Sequence, residues 1–105
     1  MQRGEIWWAD LPAPVGRRPV LLLSRNAAYR VRTSITVAII TRTIRSIPVE
    51  VGLDQSDGMP GQCVVNLDDI LTVPKSILKD RITSLSPEKM ADVAKSVIFA
   101  IDIQI

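Results

Sequence analysis

The stretch VGRRPVLLLS, residues 15–24, predicts a buried strand with two arginines at its start. Pro19 and the apolar run after it are typical of a strand buried on both faces, and proline is tolerated at a first strand position. Arg17 and Arg18 directly precede that run, although arginine is seldom buried and turns ordinarily use Gly, Asn or Asp. We therefore expect two guanidinium groups where the loop meets the core, at a place suited to an anion.

Further strands are predicted on both sides of this stretch. GEIWWADL (residues 4–11) alternates as a strand does, with Trp7 and Trp8 on opposite faces, and ITVAIITR (residues 35–42) has the β-branched, apolar character of a central strand. Four shorter strands follow, namely IPVEVGL, QCVVNL, DDILTVP after a bend, and RITSL. RNAAYRVRTS and KSILKDR are each predicted to hold a helical turn, and DQSDGMPG is a turn-rich loop.

The C-terminal part predicts one amphipathic helix. Ser86 is a favourable N-cap and Pro87 a favourable first helical residue, and apolar side chains then recur at helical spacing from Met90 to Ile101. The fold class is therefore mainly β with a C-terminal α-helix that closes a small barrel, in a single domain over residues 1–105. The aliphatic end FAIDIQI (residues 99–105) exceeds what one helix face buries and predicts a partner surface.

Composition narrows the function classes. The chain is 47% apolar, which favours a compact globule, but it has no apolar run of the roughly 20 residues that a membrane span needs. We expect a cytoplasmic location, because the N-terminus lacks the features of a signal peptide. The single Cys63 excludes an internal disulfide and is typical of a core thiol. Histidine is absent, which excludes Ser-His-Asp and Cys-His triads and histidine-ligated metals.

The charge is distributed unevenly along the chain. Residues 1–46 carry eight arginines against two acidic residues, a balance of +6, and residues 47–105 carry five basic against nine acidic residues, a balance of −4. Arginine is suited to bidentate contact with phosphate, so the first half points towards nucleic acid. A solvated basic face is the alternative. The acidic second half favours a local groove over a protein that coats nucleic acid.

Several pieces of the sequence occur together in one order and spacing. They are RGEIWWADL, RPVLLLS, VAIIT, VVNLDDILTVPKSIL and ITSLS, followed by the terminal helix. Over nearly the whole chain they resemble the MazF/PemK (Kid-like) toxins of bacterial toxin–antitoxin pairs. The resemblance implies a small SH3-like β-barrel of the MazF/PemK/CcdB type that forms homodimers. It further implies sequence-selective cleavage of single-stranded RNA without a metal or other cofactor, leaving a 2′,3′-cyclic phosphate and a 5′-hydroxyl. A cognate antitoxin is expected to block the RNA groove.

The resemblance also implies site residues. The family's catalytic arginine precedes the proline of its RPV motif, which is Arg18 here, and its catalytic threonine ends the central strand, which is Thr41. Family members often place an acidic residue near the groove after VVNL, which is Asp68. The group that moves the protons stays open between Arg18 and Asp68.

The expected chemistry suits these residue types. RNA supplies its own nucleophile, the 2′-hydroxyl, so the protein has to orient it and stabilise charge on the phosphate oxygens. The Arg18 guanidinium can hold two of those oxygens from a chain stiffened by Pro19, and the Thr41 hydroxyl can donate to a phosphate oxygen as well. The structural alternatives are a surface arginine beside a strand, a β-forming threonine at a strand end and, for Asp68, a turn aspartate.

Other residues are predicted to contact the RNA. Arg17, Arg42 and Arg45 are expected to bind phosphates, and Asn66 to reach a base edge. The aromatic residues Trp7, Trp8 and Tyr29 are candidates for stacking on bases, with one of the two tryptophans in the core.

The chain departs from the family pattern at two places. The loop PAPVGRRPV is shorter than is common and lacks a glutamate, which predicts a more open site or an altered base preference. Leu71 and Asp69 stand where Arg and Gln are usual, which weakens one edge of the RNA groove.

Two other functions remain compatible with the same fold. One is a toxin that poisons gyrase by binding it, although that branch carries an aromatic residue near the C-terminus and this chain ends AIDIQI. The other is an RNA-binding relative without catalysis, which the shortened loop makes possible.

Overall fold

The computed structural model of the protein describes residues 1–104 and consists of a six-stranded sheet and two helices. Ile105, the last residue of the predicted C-terminal surface, lies outside the described residues. The elements in chain order are β1 (Glu5–Asp10), β2 (Arg17–Leu22), α1 (Ala28–Val31), β3 (Ser34–Thr41), β4 (Glu50–Leu53), β5 (Cys63–Pro74), β6 (Leu78–Ser84) and α2 (Pro87–Ala100), with 3₁₀ turns at Gln55–Asp57 and Lys75–Ile77.

All neighbouring strands are antiparallel, in the order β4-β5-β3-β2-β1-β6. The long strand β5 changes register against β3, because Ala38 pairs with Ile70 while the next residue, Ile39, pairs with Asn66. Residues 67–69 therefore form a bulge, which bends the strand and increases the local twist. This bulge is the bend predicted between QCVVNL and DDILTVP, and the two predicted strands are one.

The sheet curls into a half-barrel whose edge strands approach each other. The 3₁₀ turn after β4 bridges to β6, since the Thr83 hydroxyl donates to the Asp57 carbonyl oxygen over 3.1 Å. Helix α2 follows β6 and packs against β4 and β5, where the buried Ser96 hydroxyl donates to the carbonyl oxygen of Pro48 over 3.0 Å. The fold class, mainly β with one closing C-terminal helix, is confirmed.

Two apolar clusters occupy the two faces of the sheet. They are separate because successive side chains along a strand point to opposite faces. The larger lies under α2 and includes Ile6, Leu21, Ile40 and Val65 together with Val93 of the helix. The smaller lies on the other face and consists of Ala9, Leu11, Val20, Leu22, Tyr29, Ile35, Val37, Val73 and Leu78. The continuous apolar run of β2 contributes to both clusters, which explains why it does not alternate.

Several strand and helix boundaries in the structure differ by a few residues from the predicted ones. Strand β2 begins at Arg17 rather than Pro19, because Arg17 and Arg18 pair with Asp10 and Ala9 of β1. The predicted helical turn KSILKDR ends at Ile77, and its second half belongs to β6. Helix α2 begins as predicted, with the Ser86 hydroxyl accepting a hydrogen bond from the Lys89 amide. No helix within residues 1–104 combines the length and the apolar character needed to span a membrane.

Candidate active site

A cavity of about 430 Å³ lies at the end of the sheet where β2 begins and β3 ends, and we call it the rim pocket. Its lining contains cations and hydrogen-bond donors but no acidic side chain from the described residues. The lining residues are Trp8, Arg17, Arg18, Pro19, Ile40, Thr41, Arg42, Met59, Pro60, Gly61, Gln62 and Cys63. A pocket with three arginines and no carboxylate favours an anion and repels a metal cation.

Strand pairing brings Arg18 and Thr41 together. The antiparallel register pairs Val20 of β2 with Ile39 of β3, and two further residues along each strand lead to Arg18 and Thr41. Both side chains line the rim pocket. Residues 23 positions apart in sequence are therefore neighbours, because adjacent antiparallel strands place them opposite each other.

The Arg18 side chain is exposed and unengaged. It has no ion pair and no side-chain hydrogen bond to any residue between 1 and 104. The backbone beneath it is fixed, because Arg18 pairs with Ala9 and the following Pro19 pairs with Trp8. A guanidinium without a partner on a rigid strand is available for two phosphate oxygens.

The Thr41 hydroxyl is oriented by the backbone. Its oxygen accepts a hydrogen bond from the Thr43 amide over 3.2 Å, and the residue is half-buried. Because the oxygen is the acceptor in that bond, the hydroxyl proton remains free to donate into the pocket.

Arg17 forms a second wall of the pocket by lying over Trp8. Its guanidinium carbon is 4.9 Å from the centre of the Trp8 ring, and its Nη2 is 3.7 Å from Oδ2 of Asp80 on β6. Both partners of this ion pair are largely exposed, so the pair contributes little to stability, about 0–1 kcal/mol. A phosphate can therefore compete with Asp80 for Arg17.

Arg42 and Arg45 have different surroundings. Arg42 lines the rim pocket and has no ion pair within residues 1–104. Arg45 lies outside the lining, with its Nε 3.5 Å from Oε2 of the Glu50 carboxylate, whose side chain is 2% exposed. The other oxygen of Glu50 accepts hydrogen bonds from the amides of Arg45 and Ser46. Arg45 thus helps to hold the β3–β4 loop that follows Thr41 and Arg42.

The structure brings Arg17, Arg18, Thr41 and Arg42 together and leaves Asn66 and Asp68 outside the lining. Asn66 is 4% exposed, and its amide is used within the β5 bulge. Its Nδ2 donates to Oδ2 of Asp69 over 3.1 Å, and its Oδ1 accepts from the Asp68 amide over 3.0 Å. An Asn66 held in this way stabilises the bulge and presents no free edge to a base. Asp68 is exposed on the outside of that bulge.

The three predicted stacking residues separate in the structure. Trp8 faces the rim pocket, whereas Trp7 packs against the smaller cluster and donates its indole N–H to Glu5 over 2.9 Å. Burial alone raises the pKa of Glu5, but this hydrogen bond, a backbone hydrogen bond at Gln2 and nearby positive charge together hold that pKa below its usual range. Tyr29 is 7% exposed within the smaller cluster and offers no face for a base.

Sequence reasoning missed the segment Met59–Cys63 as part of the site, treating it as a loop followed by a core strand. Because Thr41 pairs with Val64, the segment that directly precedes Val64 lies beside Thr41 in the pocket. The strand register, which the sequence does not specify, is therefore what identifies this segment as part of the site. Cys63 is buried there, and burial, followed by the charge of Asp57, raises the pKa of its thiol. The thiol is therefore protonated at neutral pH and is no nucleophile.

The short β1–β2 loop contributes nothing to the lining of the rim pocket. The amide of Leu11 donates to the carbonyl oxygen of Gly16, and the amides of Val15 and Gly16 donate to that of Pro12, so the loop folds back on itself. None of residues 12–16 lines the rim pocket.

Comparisons with known proteins agree on one family. Residues 2–101 match the family model described as PemK-like, MazF-like toxin of type II toxin-antitoxin system. The chain is 40% identical over 102 residues to a Mycobacterium tuberculosis protein named probable endoribonuclease MazF5, covering 95% of this chain and 92% of that protein.

Solved structures with the same fold come from the same family. The Mycobacterium tuberculosis toxin MazF-mt6 superimposes with a TM-score of 0.89 at 32% identity, covering 96% of this chain and 99% of that one. A mycobacterial endoribonuclease in complex with its cognate antitoxin superimposes with a TM-score of 0.89 at 30% identity, covering 100% of this chain and 98% of that one.

Proposed function

The chain belongs to the PemK-like, MazF-like family of type II toxins, and from this membership we propose that it is an endoribonuclease that cleaves single-stranded RNA in the rim pocket. The observation that carries the proposal is the pairing of an unengaged guanidinium, Arg18, with an oriented hydroxyl, Thr41, in one anion-binding cavity. The relatives' names support the reaction class.

The reaction needs no nucleophile from the protein. The RNA 2′-oxygen attacks the adjacent phosphorus, the bond from phosphorus to the 5′-oxygen breaks, and one proton passes in net terms from the 2′-oxygen to the 5′-oxygen. The products are a 2′,3′-cyclic phosphate and a 5′-hydroxyl. The transition state gathers negative charge on the non-bridging oxygens, which Arg18 and the Thr41 hydroxyl stabilise by donating hydrogen bonds to them.

We further propose that cleavage does not require a metal. The rim pocket presents hydrogen-bond donors and three arginine cations. These groups suit phosphate oxygens and repel a metal cation. The planar guanidinium of Arg18 can hold two phosphate oxygens at once, which suits it to clamp the scissile phosphate. A role for Asp68 as acceptor of the 2′-proton stays a prediction, and Asp68→Asn lowers the cleavage rate if the carboxylate takes that proton.

The binding partners follow from the same surfaces. An acidic or extended antitoxin segment that occupies the three-arginine pocket would exclude RNA, consistent with the relative solved in complex with its cognate antitoxin. A homodimer is proposed from the exposed apolar residues Phe99, Ile101 and Ile103 at the C-terminal end.

The test is RNA cleavage in excess EDTA, with the chemical ends of the products determined. We expect cyclic phosphate and 5′-hydroxyl ends from the wild type. Arg18→Ala and Thr41→Val should each lower the rate by about 10²–10³-fold, the cost of removing one donor to a developing oxyanion. Thr72→Val is the matched control for Thr41→Val, because Thr72 is an exposed strand threonine outside the pocket.

Three results would contradict the proposal. RNA that the wild type retains without cutting would indicate an RNA-binding protein, and intact RNA with inhibited gyrase would indicate the gyrase-directed branch. Cleavage that survives both pocket substitutions would place the chemistry elsewhere.

A further inference from the structure

A second basic surface lies around α1, and we call it the α1 arginine surface. It consists of Arg25, Arg30 and Arg32, together with Arg3, which hydrogen-bonds to Leu23 and Asn26 just before α1. All four side chains are exposed, and none forms an ion pair with any residue between 1 and 104. The sequence contains no acidic residue between Asp10 and Glu50, so no neighbour along the chain neutralises Arg25, Arg30 or Arg32.

This surface lies at the opposite end of the sheet from the rim pocket. Strand β3 begins at Ser34, directly after the surface, and ends at Thr41 in the pocket. At about 3.3 Å per residue, the length of β3 separates the two ends by roughly 25 Å. The antiparallel strand β2 runs back over a similar distance, from Arg17 and Arg18 in the pocket to Leu22 near Arg25. The two arginine groups are therefore distinct surfaces.

The base of the α1 arginine surface is firmly held. The Tyr29 hydroxyl donates to the carbonyl oxygen of Ser24 over 3.0 Å, and Lys75 Nζ donates to the carbonyl oxygen of Tyr29 over 2.8 Å. The Arg3 amide donates to Oδ1 of Asn26 over 2.7 Å, and its guanidinium donates to the carbonyl oxygen of Leu23. The arginines therefore extend from an ordered backbone, which lowers the entropy cost of binding.

The residue type indicates the ligand. All four cations are arginines, whose planar guanidinium binds two phosphate oxygens at once, whereas a merely solvated face is served equally well by lysine. A membrane surface fits less well, because an interfacial helix needs an apolar face. Helix α1 has four residues, and its one exposed apolar side chain is Val31.

We propose that the α1 arginine surface binds the phosphate backbone of an RNA segment distant from the one held in the rim pocket. The identity of the nucleic acid rests on the proposed function, but the second contact itself does not depend on cleavage. The consequence is a preference for length. A short strand reaches only the rim pocket, and a strand that spans the roughly 25 Å between the two surfaces makes additional phosphate contacts.

Binding of single-stranded DNA tests the proposal without interference from cleavage, because DNA lacks the 2′-hydroxyl. A short strand that fills only the pocket is compared with a long one over a range of salt concentrations, using the wild type and Arg30→Gln/Arg32→Gln. The substituted protein should bind the long strand several-fold more weakly and the short strand unchanged. For the long strand, the slope of log affinity against log salt should decrease by about 0.7 for each phosphate that the substituted protein no longer neutralises.

Two further variants sharpen the comparison. Lys79→Gln/Lys95→Gln removes the same charge from exposed lysines on β6 and α2, and it should leave the length preference unchanged. Arg30→Lys/Arg32→Lys keeps the charge, so it should keep the salt slope while losing part of the affinity that bidentate binding provides.

Three outcomes overturn the proposal. The first is equal weakening for both strand lengths, or no weakening for either. The second is the same weakening in the lysine control, which would reflect net charge alone. The third is arginine-dependent binding to vesicles of phosphatidylserine and phosphatidylcholine without any length effect on DNA, which would identify a membrane surface.

The result is separable from that of the cleavage experiment. If the wild type prefers long strands through Arg30 and Arg32 but leaves RNA intact, the proposed endoribonuclease activity is refuted and the proposed second binding surface is supported. A wild type that cleaves RNA but binds long and short strands independently of Arg30 and Arg32 would support the endoribonuclease and refute the second binding surface.

Discussion

Among single residues, the roles proposed for Arg18 and Thr41 rest on the surroundings of these side chains more than on their residue types. Arg18 has no competing partner within the described chain, and Thr41 has one hydrogen bond that leaves its proton free. Arg17, by contrast, is already in contact with Trp8 and Asp80. The two neighbouring arginines therefore differ in availability. An anion entering the pocket would meet an unpaired Arg18, whereas at Arg17 it would have to displace the weakly held Asp80.

The titration of Tyr29 tests whether its side chain is buried. Burial raises its pKa to about 12, so the native state keeps a proton that the unfolded state releases near the usual value of 10.0. Between these values the unfolded state binds fewer protons than the native state, so this contribution to stability is fully present below pH 10 and is lost as the pH rises towards 12. The loss is on the order of 2–3 kcal/mol. Tyr29 is the only tyrosine, so tyrosinate absorbance reports it directly.

The control for this titration is Tyr29→Phe, which removes both the absorbance change and this part of the alkaline destabilisation. It also loses the hydrogen bond to Ser24, at a cost of about 1 kcal/mol at neutral pH. A wild-type tyrosine that titrates near its usual value of 10.0 in the folded protein would contradict the burial of this side chain.

Among the secondary-structure elements, the site is assembled by register and by one ordered turn. The turn after β4 is fixed by reciprocal side-chain bonds, in which the Asp54 carboxylate accepts from Ser56 and the Asp57 carboxylate accepts from the Asp54 amide. Gly58 ends the turn with φ at +90°, and the chain then enters the pocket segment that begins at Met59. This turn therefore determines where one wall of the pocket stands.

Gly58→Ala should destabilise the protein at this turn. A Cβ there would stand 2.8 Å from Cβ of Thr83 on β6, and the positive φ itself disfavours any side chain. We expect a loss of about 1–3 kcal/mol in the free energy of unfolding, measured by denaturant titration. Gly61→Ala is the matched control, because a Cβ at Gly61 meets no atom within 4 Å. Equal stability of the two variants would show that the turn is not held against β6.

Across the whole molecule, charge and apolar surface are distributed to different regions. Arginines stand at both ends of β3, and the C-terminal end of α2 exposes Phe99 and Ile101, at 60% and 58%. Side chains of this size contribute about 1.5–3 kcal/mol each when buried. The proposed homodimer would cover these two side chains, which lie at the C-terminal end of a helix whose other face packs against β4 and β5.

Phe99→Glu should therefore weaken self-association. The wild type is expected to sediment as a dimer at micromolar concentration, and the variant to shift towards monomer because a charge would have to be buried at the contact. Ala91→Glu places the same charge on an exposed residue earlier in α2 and should leave the dimer intact. A wild type that is monomeric at all concentrations, or a variant that still dimerises, would contradict the assignment of this surface.

Some features follow from local chemistry alone. The cap at Ser86 with Pro87, the apolar period of α2, the β-branched run of β3 and the turn at α1 each depend on residues close in sequence, so the pattern predicts them. The sequence indicates a bend in β5 but not the register of its bulge, because pairing is a property of two strands. The exclusion of Asn66 and Tyr29 from the pocket could not be predicted for the same reason.

Composition and local period are enough to predict most strands, the closing helix and the arginine-rich first half, and they also exclude histidine chemistry. They do not predict which arginines share a cavity with Thr41, that Met59–Cys63 completes it, or that other arginines form a second surface at the far end of β3. Those facts emerge only when the sheet is assembled. Antiparallel pairing joins residues that are distant in the chain, and their proximity depends on a register that no single strand specifies.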